Sequence, residues 1–236
     1  MTSVLRFKSE IRSARNEMRR SGISSLTPWM RHWLTTLGVF GGVVVGDAIK
    51  SWDVLMTANF LRDRLPPETP VLDAGAYASE ILSVLYRMKY SNLTGVDLNP
   101  RINEMPFADR IRYEVGDFMA TPFPDRSFGA ITAISVIEHG FQSERLLREV
   151  SRLLRPGGYF IASFDYWPEK VDTTGMDIFG MDWRIFSKEE VLAFIEEARA
   201  YGLSPCGKVD LEGGEKVIHW GGKEYTFAWL SLRKAA

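Results

Sequence analysis

From residue 69 onward, short apolar runs alternate with stretches of helical spacing. Val71 to Asp73, Leu93 to Asp97, Ile111 to Gly116, Ala130 to Ser135 and Tyr159 to Phe164 read as five strands. Ser79 to Tyr90 and Phe141 to Leu154 read as helices between them, the second with Leu146, Leu147, Val150, Leu153 and Leu154 on its inner side. Ser187 followed by Glu190 predicts a capping box. The helix it opens has Val191, Leu192, Phe194 and Ile195 on its apolar side and ends at Tyr201-Gly202. Ser204 to Leu211 and Tyr225 to Leu232 read as two closing strands. Repeated strand–helix units imply a parallel sheet with right-handed crossovers, and such sheets bind ligands at the carboxyl ends of their strands.

The first 65 residues follow a different period. Val4, Phe7, Ile11, Ala14 and Met18 share one helix face, with basic residues on the others, and the helix should stop near Ser21-Gly22. That face could cover its own domain, meet a second copy in a homodimer, lie on a membrane surface or close over the active site as a lid. A second helix is predicted around Trp29, Trp33 and Leu37, ahead of a glycine-rich apolar run that ends at Gly46. A third, Asp47 to Leu65, carries Trp52 among its core positions and is ended by Pro66-Pro67. The chain thus divides into an N-terminal helical extension or cap, residues 1–65, and a ligand-binding domain, residues 66–236.

Composition narrows the function. Net charge is −1 among 236 residues, which gives no signature for nucleic acid. The longest apolar run is too short to span a bilayer, so no stable membrane insertion is expected. One cysteine, Cys206, excludes an internal disulfide and suits a cytoplasmic protein. Asp165, Asp172, Asp177 and Asp182 match no calcium-loop spacing, and no metal is expected.

The chemistry gathers at strand ends. Val71-Leu72-Asp73-Ala74-Gly75 is a strand, an acid and a glycine turn leading into a helix. A dinucleotide site would place glycines in a G-x-G-x-x-G run and its acid about 20 residues later. Here the acid precedes the glycine by two residues, which suits a cationic or amine-bearing ligand. Two more strands end in acids, at Gly95-Val96-Asp97 and Gly116-Asp117-Phe118.

This D-x-G turn resembles the first motif of the class I S-adenosylmethionine (SAM) methyltransferases, with Tyr77 where a second glycine is usual. Phe123-Pro124-Asp125-Arg126-Ser127-Phe128, Ser135-Val136-Ile137-Glu138-His139 and Leu154-Arg155-Pro156-Gly157-Gly158 resemble later motifs of the small-molecule (type 11-like) group. The resemblance implies an α/β, Rossmann-like, doubly wound sheet of seven strands, mostly parallel, with an antiparallel last strand. It implies SAM as donor and S-adenosylhomocysteine as product. Asp73, Gly75 and Tyr77 would surround the methionine part, with Trp52 capping it and Ser135 beside it. Asp97 would take the ribose hydroxyls, and Leu98, Asp117 and Phe118 the adenine.

The expected reaction is in-line methyl transfer to a small-molecule acceptor, first of all a hydroxyl oxygen of a sugar-containing or natural-product substrate. A hydroxyl must lose a proton, and His139 and Asp165 are the candidate catalytic groups. His139, Tyr166, Trp167 and His219 are the candidate acceptor contacts. A small amine is the nearest alternative acceptor. A non-catalytic binding or scaffold subunit, with Tyr77 filling the methionine pocket, is the alternative of another class.

Overall fold

In the computed structural model, which describes residues 1–28, 33, 37 and 42–236, one large sheet carries the site. Its strands are β1 (Thr2–Val4), β2 (Val71–Ala74), β3 (Leu93–Asp97), β4 (Arg112–Val115), β5 (Phe128–Ile134) and β6 (Leu154–Tyr166). Beyond the two-stranded hairpin of β7 (Asp177–Ile178) and β8 (Met181–Asp182) come β9 (Leu203–Pro205), β10 (Ile218–Trp220) and β11 (Lys223–Lys234). The helices are α1 (Lys8–Arg20), α2 (Ser51–Arg62), α3 (Ile81–Arg87), α4 (Ser143–Leu153) and α5 (Lys188–Ala200).

The main path of the sheet runs β1-β11-β6-β5-β2-β3-β4, with β9 and β10 also paired to β11. The β2, β3, β4, β5 and β6 pairings are parallel, and β11 lies antiparallel to β6. From β2 the chain winds outward through β3 and β4, then returns to β5 on the other side of β2. That reversal makes the carboxyl ends of β2 and β5 the switch point, where a doubly wound sheet opens a crevice. All seven residues of β5 are buried, as a central parallel strand covered on both faces requires.

The expected fold class holds, with two differences. The seventh strand of the path is β1 at the N-terminus, and Ser204 to Leu211 supplies only the short β9. Thr2 pairs with Leu230 and Val4 with Ala228, so the first segment is a sheet edge before it is a helix. A three-residue strand has too short a period to compete with the helical spacing that runs through Val4. Helix α1 starts at Lys8 because the Glu10 carboxylate accepts from the Arg6 and Phe7 amides, and Phe7 is left exposed. Ala14 and Met18 are buried within the chain's own core. The predicted helix around Trp29, Trp33 and Leu37 lies mostly outside the described residues.

The capping box at Ser187 forms as read: Ser187 Oγ accepts from the Glu190 amide at 3.2 Å, and Glu190 Oε2 from the Ser187 amide at 2.8 Å. Among the described residues, no helix is long and apolar enough to cross a membrane.

Candidate active site

At the end of β2 the chain turns sharply. Gly75 has φ +73°, and a Cβ added there would lie 2.3 Å from Val136 Cγ2. Only glycine allows this turn to press against the loop after β5. The Gly75 and Ala76 amides donate to the Val96 carbonyl at 2.9 and 3.1 Å, which ties the turn to β3. The residue that takes the left-handed conformation further on is Ala78, at φ +62°. Tyr77 has no positive φ, so its side chain costs the backbone nothing, and its amide donates to Asp97 Oδ2 at 3.0 Å. This is why a tyrosine can stand where a glycine was expected.

A cavity of about 220 Å³ opens beside this turn. Gly75, Tyr77 and Ser135 line it together with Lys50, Glu80 and Val136. Tyr77 forms part of the wall.

Asp97 accepts twice: Oδ2 from Tyr77 and Oδ1 from the Asn99 amide at 2.8 Å. Each carboxylate oxygen has two lone pairs, so one acceptor position per oxygen is left. Asp117 is held by the Met119 amide on Oδ1 and by Arg145 on Oδ2, both at 2.8 Å. Beside these acids Leu98 is exposed and Phe118 half-buried.

Asp73 is fully buried. Its Oδ1 accepts from Thr132 Oγ1 at 2.7 Å, while Oδ2 has no partner. Burial pushes this carboxyl up to about 7, and pushes that of Asp53, at the start of α2, up to about 6. Unfolded, both ionise in the ordinary range near 4. The folded chain therefore holds protons that the unfolded chain has released, and its stability falls as pH rises through about 4 to 7. The melting temperature should drop between pH 5 and pH 8. Asp73→Asn keeps an acceptor for Thr132 and has no proton to lose. It should flatten that slope, by on the order of 4 kcal/mol across the whole range from about pH 4 to 7 and about 3 kcal/mol between pH 5 and 8. An unchanged slope in thermal melts of the variant would refute the assignment.

A second polar cluster lies past β5 and β6. Lys50 Nζ donates to Ser135 Oγ, sits 3.4 Å above the centre of the Phe227 ring and is 3.9 Å from Asp165 Oδ1. Asp165 Oδ2 accepts from Trp183 Nε1 at 2.8 Å. Burial raises the carboxyls of both Asp165 and Glu138, and the Oε2 of Glu138 has no partner. Burial also lowers the His139 imidazole to about 4, with Lys50 adding to the effect, so the ring is neutral at pH 7. Its Nδ1 is buried without a partner, and the ring meets Phe179 at 5.5 Å between centres.

Other predicted residues lie elsewhere. Trp52 does not line the cavity: it is buried in the core, because on this helical stretch Lys50 is the residue turned to the site. Tyr166 is fully buried, and its hydroxyl donates to the Leu211 carbonyl at 2.5 Å, so it cannot meet an acceptor. Trp167 packs near Gly213 and under Lys216. His219 lies exposed on β10 and faces Glu224 at 3.4 Å. The tryptophan nearest Asp165 is instead Trp183. It also borders a polar cavity of about 480 Å³, with Lys170, Asp172, Asp182 and Arg184 on its walls. The aromatic content of the loop was visible in the sequence, but which ring returned to β6 was not.

With this geometry in hand, residues 72–162 match the family model described as a methyltransferase domain. Over those residues the chain has the sequence pattern of a methyltransferase domain. Over 104 residues it is 30% identical to a sterol 24-C-methyltransferase of Gibberella zeae, covering 41% of this chain and 27% of that protein. Over 157 residues it is 26% identical to the 2-methyl-6-phytyl-1,4-hydroquinone methyltransferase of Synechocystis, covering 60% and 48%. The chain thus spans less than half the length of these curated relatives. Among solved structures, the methyltransferase domain fold resembles the [4+2]-cyclase SpnF, at TM-score 0.61 and 19% identity over 84% of this chain and 88% of that one. It also resembles a geranyl diphosphate C-methyltransferase of Streptomyces coelicolor solved with S-adenosyl-L-homocysteine, at TM-score 0.59 and 17% identity over 94% and 98%.

Proposed function

We propose that this chain transfers the methyl group of SAM to a small-molecule acceptor. The observation that carries the proposal is Asp97. Its two oxygens are fixed by the turn after β2 and the loop after β3, each with acceptor capacity left for a hydroxyl of a ribose. Asp117 and Phe118 would flank the adenine. Around the turn, Gly75, Tyr77 and Ser135 would enclose the methionine part. Lys50 and Asp47 line the same cavity and offer both signs of charge to its zwitterionic end. When bound, SAM supplies a methyl already activated by a sulfonium charge. The protein's own task is to align the acceptor, which can contribute roughly 7–11 kcal/mol in favourable systems.

A hydroxyl acceptor fits His139 best. The imidazole is neutral at physiological pH, so it can accept a proton, although the burial and the Lys50 charge that lower it to about 4 make it a weak base. His139→Ala should then lower kcat by about 10²–10⁴-fold with little change in SAM affinity. A change under threefold would point to an amine acceptor or another base. Asp165, already bonded to Trp183 and near Lys50, would hold that wall in place. A carbon acceptor is the second reading, favoured by the named activities of the sterol and hydroquinone relatives. Labelled methyl transfer into panels of sugars, phenols, amines and prenylated or sterol-like compounds separates these. Failure to bind both SAM and S-adenosylhomocysteine in calorimetry would leave the scaffold reading standing.

A further inference from the structure

The cofactor turn is held from outside the domain's own motifs by a buried ion pair. Glu80, the residue before α3, lines the cavity with Tyr77, Ala78 and Ser79. Its carboxylate accepts from Arg15 of α1 through both oxygens, at 2.9 and 2.7 Å. Arg15 and Glu80 side chains are only 6% and 1% exposed. The remaining guanidinium donors reach Ser51 Oγ at 2.8 Å and Ser24 Oγ at 3.0 Å. Glu80 Oε1 also accepts from the Ser25 amide at 2.6 Å. Beside it Gly46, at φ +74°, donates its amide to the Ala78 carbonyl at 2.8 Å, and a Cβ there would come within 3.1 Å of Glu80 Oε2. Four separate pieces of the N-terminal segment, at Arg15, Ser24–Ser25, Gly46 and Ser51, therefore converge on one carboxylate or its immediate neighbours.

We propose that Arg15 is a positioning residue for the ligand turn: its two-pronged grip on Glu80 fixes the backbone of residues 76–80 in the shape that receives the cofactor. A guanidinium is suited to this because its planar fork fixes direction as well as charge. The bare ion pair alone would be a weak reason to keep such a group, since well-packed apolar pairs often replace buried ion pairs without loss of stability. Glu80 belongs to the cavity wall, which gives the grip a use that stability does not.

The inference deepens the SAM reading, but its test has an arm that does not depend on SAM. In ligand-free protein, hydrogen exchange would be followed at the Tyr77 and Ala78 amides and, as a control, along β5. Arg15→Met leaves Glu80 buried without its partner and can fail to fold. The paired variant Arg15→Met/Glu80→Leu removes both charges and should melt near the wild-type temperature. In that variant, exchange at Tyr77 and Ala78 should be at least tenfold faster with β5 unchanged. SAM affinity measured by calorimetry should fall at least tenfold. Arg15→Lys, which keeps the charge and loses the fork, should fall between. If the paired variant folds and keeps wild-type protection at the turn, Arg15 is a structural residue only and the proposal is overturned. If the wild type binds no SAM, the functional reading fails, and the exchange arm still decides the role of Arg15.

Discussion

Asp97→Ala should weaken SAM binding by roughly 10²–10⁴-fold. Two hydrogen bonds to a charged acceptor are at stake, each worth about 1.5–3 kcal/mol. The loss has a second component inside the protein. Asp97 also receives the amides of Tyr77 and Asn99, so removing it frees both loops of the proposed cofactor site. Asp97→Asn is the sharper variant. Both carboxylate oxygens already face backbone N–H groups, so one side of an asparagine would set its own NH₂ against a donor. Asparagine should therefore perform nearly as badly as alanine, unlike at a site where only one oxygen is used. Calorimetry on both variants checks this. Affinity within a few-fold of wild type for either would remove Asp97 from the cofactor site.

Gly75→Ala should both destabilise the protein and abolish SAM binding. Two costs combine at this position. The left-handed φ of +73° is worth about 1–2 kcal/mol against any L side chain. A methyl 2.3 Å from Val136 Cγ2 adds an overpacking cost of about 1–3 kcal/mol. The costs can be separated, because only the second depends on Val136. Gly75→Ala/Val136→Ala should regain the packing part in denaturant melts while leaving the backbone part. Binding should remain poor, since the turn and the loop after β5 no longer meet in the same way. Full recovery of SAM affinity in the double variant would show that steric contact, and not the turn's conformation, is what the glycine provides.

The two variants test different levels of one arrangement. In the proposed site Asp97 would read the chemistry of the ligand, and Gly75 holds the backbone shape that brings the turn after β2 against the loop after β5. Arg15 acts a level further out, on the far side of the same turn.

Much of this was present in local sequence. Strands of a parallel sheet are buried on both faces, so β2, β3 and β5 stand out as apolar runs between turn residues, and their boundaries were placed to within two residues. The capping box at Ser187 depends on side chains three positions apart, which no tertiary contact needs to create. The Gly75 turn and the acids at Asp73, Asp97 and Asp117 are likewise local, because each acid lies at or within two residues of the end of its own strand.

What the tertiary structure alone decided is everything that depends on two distant segments meeting. Thr2–Val4 is a strand only because β11 offers it an edge. Lys50 faces the cavity and Trp52 the core because the helical turn Ala48–Lys50 before α2 brings Lys50 onto Ser135 in the loop after β5, and residue spacing carries no sign of which side that is. Tyr166 and Trp183 are both aromatics of one region. The end of β6 is buried on both faces and takes the first with it, while the chain's return from the β7–β8 hairpin brings the second onto Asp165. Arg15 read as one of several basic residues on an amphipathic helix. Its partner is 65 positions away, and a charge in a local pattern cannot announce a buried carboxylate on another element. The sequence by itself determined the fold class and the strand-end acids, since those follow from period and turn chemistry. Which side chains surround the ligand was settled by packing between elements that the chain separates.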